Sequence, residues 1–93
     1  MIHVSVTDTL EERGKRYGTF EEHAQIAQTL KSYINVQLRN RHKCLAHDQQ
    51  EAIEMICHKL ARIINGDPNY ADSWHDIAGY AQLVAERLNG VKK

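Results

Sequence analysis

The stretch NGDPNYADSWHDIAGYAQLVAERLNG, residues 65–90, decides the fold. Gly66, Asp67 and Pro68 break the chain at its start, and Gly90 closes it. Between those breaks Trp74, Ile77, Ala78, Ala81, Val84, Ala85 and Leu88 recur at the i, i+3, i+4, i+7 spacing of one helix face. The spacing predicts an amphipathic helix over residues 72–89, capped by the Asp72 side chain. Its opposite flank carries Asp72, Asp76 and Tyr80, one turn apart.

The stretch immediately before it is a second helix, predicted over 48–65. Asp48 and Glu51 have the capping-box spacing, and Ile53, Ile56, Cys57, Leu60, Ile63 and Ile64 line one face. Gly66 is positioned to end this helix in the left-handed conformation, and Pro68 to open the next helix or a turn. Further back, RNRHKCLAH interrupts the apolar pattern with charge and places a loop across 40–47. Thr19 and Glu22 repeat the capping-box spacing ahead of a helix over 19–40, whose stripe is Ala24, Ala27, Leu30, Ile34 and Leu38, widened by Ile26 and Tyr33. Thr9 and Glu12 repeat it again for a short helix over 9–17, which Gly14 and Gly18 limit. Ile2, Val4 and Val6 alternate with polar residues, but no second strand exists to pair with them. Residues 1–8 therefore read as an extended arm.

The chain is thus an all-α single domain: an antiparallel bundle of three main helices with a short N-terminal helix or lid. At 93 residues its core is small, and Tyr17, Tyr33, Tyr70 and Leu83 fall off the main stripes. A homodimer or larger homo-oligomer built on helix faces is expected.

Composition removes several function classes. No apolar run approaches the roughly 18 residues of a membrane span. Twelve basic residues balance twelve acidic ones, so no global field draws the chain to nucleic acid, and no general nucleic-acid binding is expected. Cys44 and Cys57, with no cleavable signal, read as free thiols of a reducing cytoplasm.

Three groupings could carry chemistry. Lys59 and Arg62 stand three residues apart near the end of their helix, and the Gly66–Pro68 turn should bring Asp72 and Asp76 back towards them. Two cations beside two carboxylates suit a phosphate with a divalent metal, and equally suit a salt-bridged lock on helix register. Glu51 and Glu54, also three apart, present oxygen ligands for magnesium, or else serve as a capping residue and a solvated side chain. His42, Cys44, His47, Cys57 and His58 are soft ligands without the paired-cysteine spacing of a zinc site, and Cys57 belongs to the apolar face.

The segments ERGKRYGTFEEHAQIAQTL (12–30), KLARIINGDP (59–68) and DSWHDIAGYAQL (72–83) resemble a family of small phage and prophage proteins known only as a domain of unknown function. A similar ending, a lysine and an arginine three apart followed by a DIAGYA-like helix, occurs in the phage domain associated with nucleotide modification. Both groups are distantly similar to all-α nucleoside triphosphate pyrophosphohydrolases of the MazG type. These use glutamate pairs three apart on one helix and a glutamate three before an aspartate on the next. Glu51 and Glu54 match the first half. The second departs, because Ser73 stands three before Asp76 and the nearest acid is Asp72. The resemblance implies a phage-encoded protein in the host cytoplasm that binds or processes a nucleotide. Lys59, Arg62, Asp72, Asp76 and Tyr80 would form the site, Arg13, Tyr17 and Gly18 would close over the ligand, and Glu51, Glu54 and Asp76 would hold Mg2+. The alternative is a non-enzymatic protein that binds a host defence protein through an exposed helix face or the N-terminal arm.

Overall fold

The computed structural model describes residues 5–93, and over these the chain is all-helical. Helix α1 spans Val6–Tyr17, α2 Phe20–Asn40, α3 His47–Asn65 and α4 Ala71–Leu88. Three of the four predicted starts shift. Helix α1 begins at Ser5, whose Oγ accepts from the Asp8 amide, so Thr9 lies inside the helix and donates to the Ser5 carbonyl. Val6 belongs to this helix, and Ile2 and Val4 lie outside the described residues. Helix α3 starts after Ala46, whose amide donates to Gln49 Oε1, leaving Asp48 in the first turn. Helix α4 starts after Tyr70, and Asp72 accepts from the Tyr70 hydroxyl at 2.9 Å. In each case the predicted cap lies within the first turn or so and has another partner; an acid there still favours the helix dipole. Thr19 is the cap expected, accepting from the Glu22 amide.

Cross-helix pairs give the topology. His23 meets His58 and Asn35 meets Gln50, so α2 and α3 run antiparallel. Lys59 meets Asp76 and Asp48 meets Arg87, so α3 and α4 do too. Helices α2 and α4 do not pack on each other, and α3 is held between them. This is why α3 has buried residues on more than one side, with Ala52, Cys57, Lys59 and Ala61 all covered. Alanines dominate the core because they let helix backbones approach closely, and Cys57 is the largest side chain fully enclosed. Burial raises the Cys57 thiol above its ordinary range, and both cysteines are free.

Helix α4 turns only part of its predicted apolar face to α3. Ser73, Ile77, Tyr80 and Val84 point inward, while Trp74, Ala78, Ala81, Ala85 and Leu88 are exposed. Tyr80, assigned to the polar flank, is half-buried against α3. Two polar contacts fix this rotation. Asp76 must reach Lys59, at 2.9 Å, and Arg87 grips Asp48 through two hydrogen bonds at 2.7 and 2.5 Å.

The turn between α3 and α4 is tied to the end of α1. Gly66 is not left-handed, with φ −126°; glycine is needed there because a Cβ would collide with the Arg16 carbonyl and the Tyr17 backbone. The Asp67 amide donates to that same Arg16 carbonyl at 2.6 Å. The Asn65 amide group donates to Tyr17 O at 2.8 Å and Thr19 O at 2.9 Å, across Gly18, which has φ +76°. Pro68 lies in the turn, and its carbonyl accepts from the Trp74 indole. Arg16 lies over the Tyr70 ring and donates to its hydroxyl. Helix α1 is therefore anchored at its C-terminal end, and its other residues are exposed.

Candidate functional site: a cationic cavity between the first three helices

That anchoring shapes a cavity of about 490 Å³ between α1, the start of α2 and the second half of α3. Arg13 and Tyr17 reach it from α1, Phe20 and His23 from α2, and His58 and Arg62 from α3. The volume is that of a small-molecule pocket, and the lining is mostly apolar with a few polar groups, as such pockets are. Among the described residues two arginines line it and no acidic residue does. Among the described residues neither Arg13 nor Arg62 has an acidic partner within 4.0 Å. The Arg62 guanidinium lies 4.3 Å above the Tyr17 ring, a stacking that orients it while leaving its N–H donors unspent on anions.

Behind the arginines lies a pair of imidazoles. His23 Nε2 and His58 Nδ1 are 3.2 Å apart, with the rings edge to face. His23 is only 6% exposed, and its Nδ1 is buried without a partner. One tautomer pair that makes this bond has His23 protonated on Nε2 and donating to His58 Nδ1. That assignment leaves His23 Nδ1 as a bare lone pair and puts the His58 proton on Nε2. Burial, then the Arg62 charge and the neighbouring imidazole, push His58 down to about 4. Burial followed by Arg62 also lowers His23. At neutral pH both rings are uncharged, so among the described residues the formal charges lining the cavity are those of the two arginines.

Of the residues singled out from sequence, Arg13, Tyr17 and Arg62 meet here, and Gly18 lies at the rim. The others are dispersed around α3. Lys59 is buried and turned to the α4 side, where its ammonium pairs with Asp76 and holds that carboxyl below the usual range. Asp72 is engaged by Tyr70, whose hydroxyl that contact pushes up. Tyr80 and Glu51 line a separate groove between α3 and α4 with Asp48 and Arg87. Glu54 points to the α2 side and accepts from Gln50 at 2.8 Å. Glu51, Glu54 and Asp76 thus do not converge, and among the described residues no group of three or more His, Cys, Asp or Glu could hold a metal ion.

His23 and Phe20 are parts of the cavity that sequence reasoning missed, while His58 was singled out only as a soft ligand. The signal was there: His23, Ala27, Leu30 and Ile34 share one helical stripe, so a histidine stood among core positions. Asn65 was likewise passed over as a helix end, although it stitches the α1–α2 junction that forms the cavity's rim.

Among the described residues no helix is long and apolar enough to cross a membrane. No curated protein and no solved structure matches the chain. A family model does, over residues 5–88, and it takes in all four helices and every residue of the cavity. The chain belongs to the family described as Domain of unknown function (DUF6378).

Proposed function

We propose that this chain is a phage-encoded, MazG-like helical protein that binds a nucleotide in the cavity between α1, α2 and α3. The observation that carries the reading is the convergence of Arg13 and Arg62, both without acidic partners, on a pocket with no carboxylate. Guanidinium forks match phosphate oxygens bidentately, and Tyr17 and Phe20 offer ring faces for a base. The neutral His58 adds an N–H donor. The dispersed acids favour binding over magnesium-dependent hydrolysis, since none of them reaches this cavity.

The test is thermal unfolding with nucleoside triphosphates and cyclic dinucleotides, each with and without magnesium. A ligand that prefers the folded form raises the midpoint, by about 2.7 kcal/mol of added stability at a hundredfold excess over Kd. The expected rise persists without magnesium and is abolished by Arg62→Ala and by Arg13→Ala. No shift across the panel, or a shift indifferent to both arginines, removes the reading. If magnesium proves essential, pyrophosphate release becomes the next assay.

A second reading, a host protein bound on an exposed helix face, is supported by the uncovered apolar side of α4. It gains if nucleotides leave the midpoint unchanged while a host protein co-purifies with the wild type and is lost on substitution of Trp74.

A further inference from the structure

The even charge of the whole chain hides an uneven distribution. From His23 to His47, 25 consecutive residues hold no aspartate or glutamate, yet they carry Lys31, Arg39, Arg41 and Lys43, which leaves eight basic against twelve acidic residues elsewhere. Arg39, Arg41 and Lys43 crowd the turn between α2 and α3, where every residue from Arg39 to Cys44 is exposed. Among the described residues none of these three cations has an acidic partner within 4.0 Å. The acids at the start of α3 are engaged or turned elsewhere: Asp48 is held by Arg87, Glu51 lines the groove towards α4, and Glu54 accepts from Gln50. Glu21 and Glu22 stand at the other end of α2, roughly 27 Å away along its axis.

The turn has a fixed shape. His42 takes the left-handed conformation, φ 53°, in a Schellman cap: its amide donates to the Arg39 carbonyl at 3.1 Å, and the Lys43 amide donates to the Leu38 carbonyl at 2.9 Å. Lys43 is thereby folded back over the end of α2, between two shallow grooves of about 340 Å³ each that share Lys43 and Leu38. One groove runs from Tyr33 to Arg41, the other adds Arg39 and His47, and neither has an acidic residue in its lining. Tyr33, Gln37 and Arg41 follow one another at intervals of four, so they share a row. Arg41 donates to the Gln37 side chain, and Tyr33 is 66% exposed. An open aromatic ring beside a row of unpaired cations is the combination that holds single-stranded nucleic acid, phosphates meeting the charges while a base stacks on the ring. A duplex hides its base faces in the stack, and an acidic peptide has no base to offer.

We propose that the α2–α3 turn docks single-stranded nucleic acid, with Tyr33 stacking a base and Arg39, Arg41 and Lys43 holding the backbone. The surface lies at the opposite end of α2 from the cavity and does not depend on the nucleotide reading. Fluorescence anisotropy with a labelled oligothymidylate of about ten nucleotides is the test. Three phosphate contacts to a single strand give a log–log salt slope of about −2, so affinity should fall roughly 20-fold between about 50 and 200 mM salt. Arg41→Gln and Lys43→Gln should each flatten that slope by about 0.7. Tyr33→Leu should weaken binding by about fivefold or more and leave the slope unchanged. All three positions are exposed, and circular dichroism should show each variant folded. Arg62→Ala, in the cavity, should bind the oligonucleotide as the wild type does. Absence of binding at about 20 mM salt and about 100 μM protein overturns the proposal. So does a loss of binding in Arg62→Ala, which assigns the strand to the cavity, or a Tyr33→Leu variant that binds as the wild type does. A duplex or polyglutamate bound as tightly as the single strand overturns it too, the latter assigning the turn to an acidic protein segment.

Discussion

Acidification to about pH 5 should destabilise this protein through the His23–His58 pair before any carboxylate contributes. An unfolded histidine titrates near 6.5, whereas His58 in the fold is held down to about 4. Between those values the unfolded chain binds a proton that the folded chain refuses, so stability is full above pH 6.5 and falls as the pH drops towards 4. Going from about pH 7.5 to 5, the shift taken at face value is worth roughly 2 kcal/mol, and discounting it by half for partial solvent screening leaves about 1 kcal/mol. His23, lowered for the same reasons, adds in the same direction.

The carboxylates do not confuse this window. Asp48, Asp76 and Glu86 are held below their ordinary values by Arg87, Lys59 and Gln82 respectively. Their contribution is present above the unfolded value and lost only as pH falls through the lowered folded one, which lies beneath pH 5. Urea unfolding in phosphate-free buffer is the assay. With a slope of about 1 kcal/mol per molar, the wild-type midpoint should drop by about 1 M between the two pH values. His58→Gln, which cannot titrate, should lose most of that drop. Wild-type curves that superimpose at the two pH values would refute the account, as would a His58→Gln variant that keeps the whole dependence.

Three other expectations follow from the contacts around α3. Asn65→Ala removes the donors for Tyr17 O and Thr19 O; the cost should be about 1–3 kcal/mol, and hydrogen exchange should rise in Val6–Tyr17 while α3 and α4 stay protected. Gly66→Ala drives a methyl group into the Arg16 carbonyl, and calorimetry should show a midpoint lowered by several degrees for each of the roughly 1–3 kcal/mol such overpacking costs. Lys59→Met and Asp76→Leu should each lower the midpoint more than the double variant does, because each single change strands a charge beside an apolar neighbour; equal effects from singles and double would show that the pair is not coupled.

Helix content and order were legible because apolar spacing is set by what the interior must contain. Helix α2 shows this: Ala24, Ala27, Leu30, Ile34 and Leu38 all face inward to some degree. Starts were less legible, since Thr9, Asp48 and Asp72 have the composition of caps but sit a residue or more inside their helices. Composition does not say which of several nearby polar residues takes the extended backbone. The rotation of α4 was only partly legible. Ile77 and Val84 of its apolar stripe face α3, but Trp74, Ala78, Ala81, Ala85 and Leu88 face outward, and the pairs Asp48–Arg87 and Lys59–Asp76 hold that rotation. The candidate site was half legible: Arg13, Tyr17 and Arg62 stood out, but only the tertiary fold joins them to His23 and separates them from Lys59.

That separation bears on mechanism. Lys59 and Arg62 are three residues apart on α3, close enough to share a ligand on an isolated helix. Packing sends them to opposite uses, because α3 lies between two neighbours rather than at the surface of a bundle. Lys59 is drawn to α4 by Asp76 and becomes part of the register. Arg62 turns to α1, where the Tyr17 ring orients it without neutralising it. A buried lysine paired with an acid has little charge left to offer a ligand, whereas a stacked arginine without an acidic partner still seeks an anion. The balance of positive charge at the cavity therefore rests on Arg62 and Arg13. Arg13 stands on a helix anchored only at its far end, so an anion bridging the two arginines would tie the middle of α1 to α3.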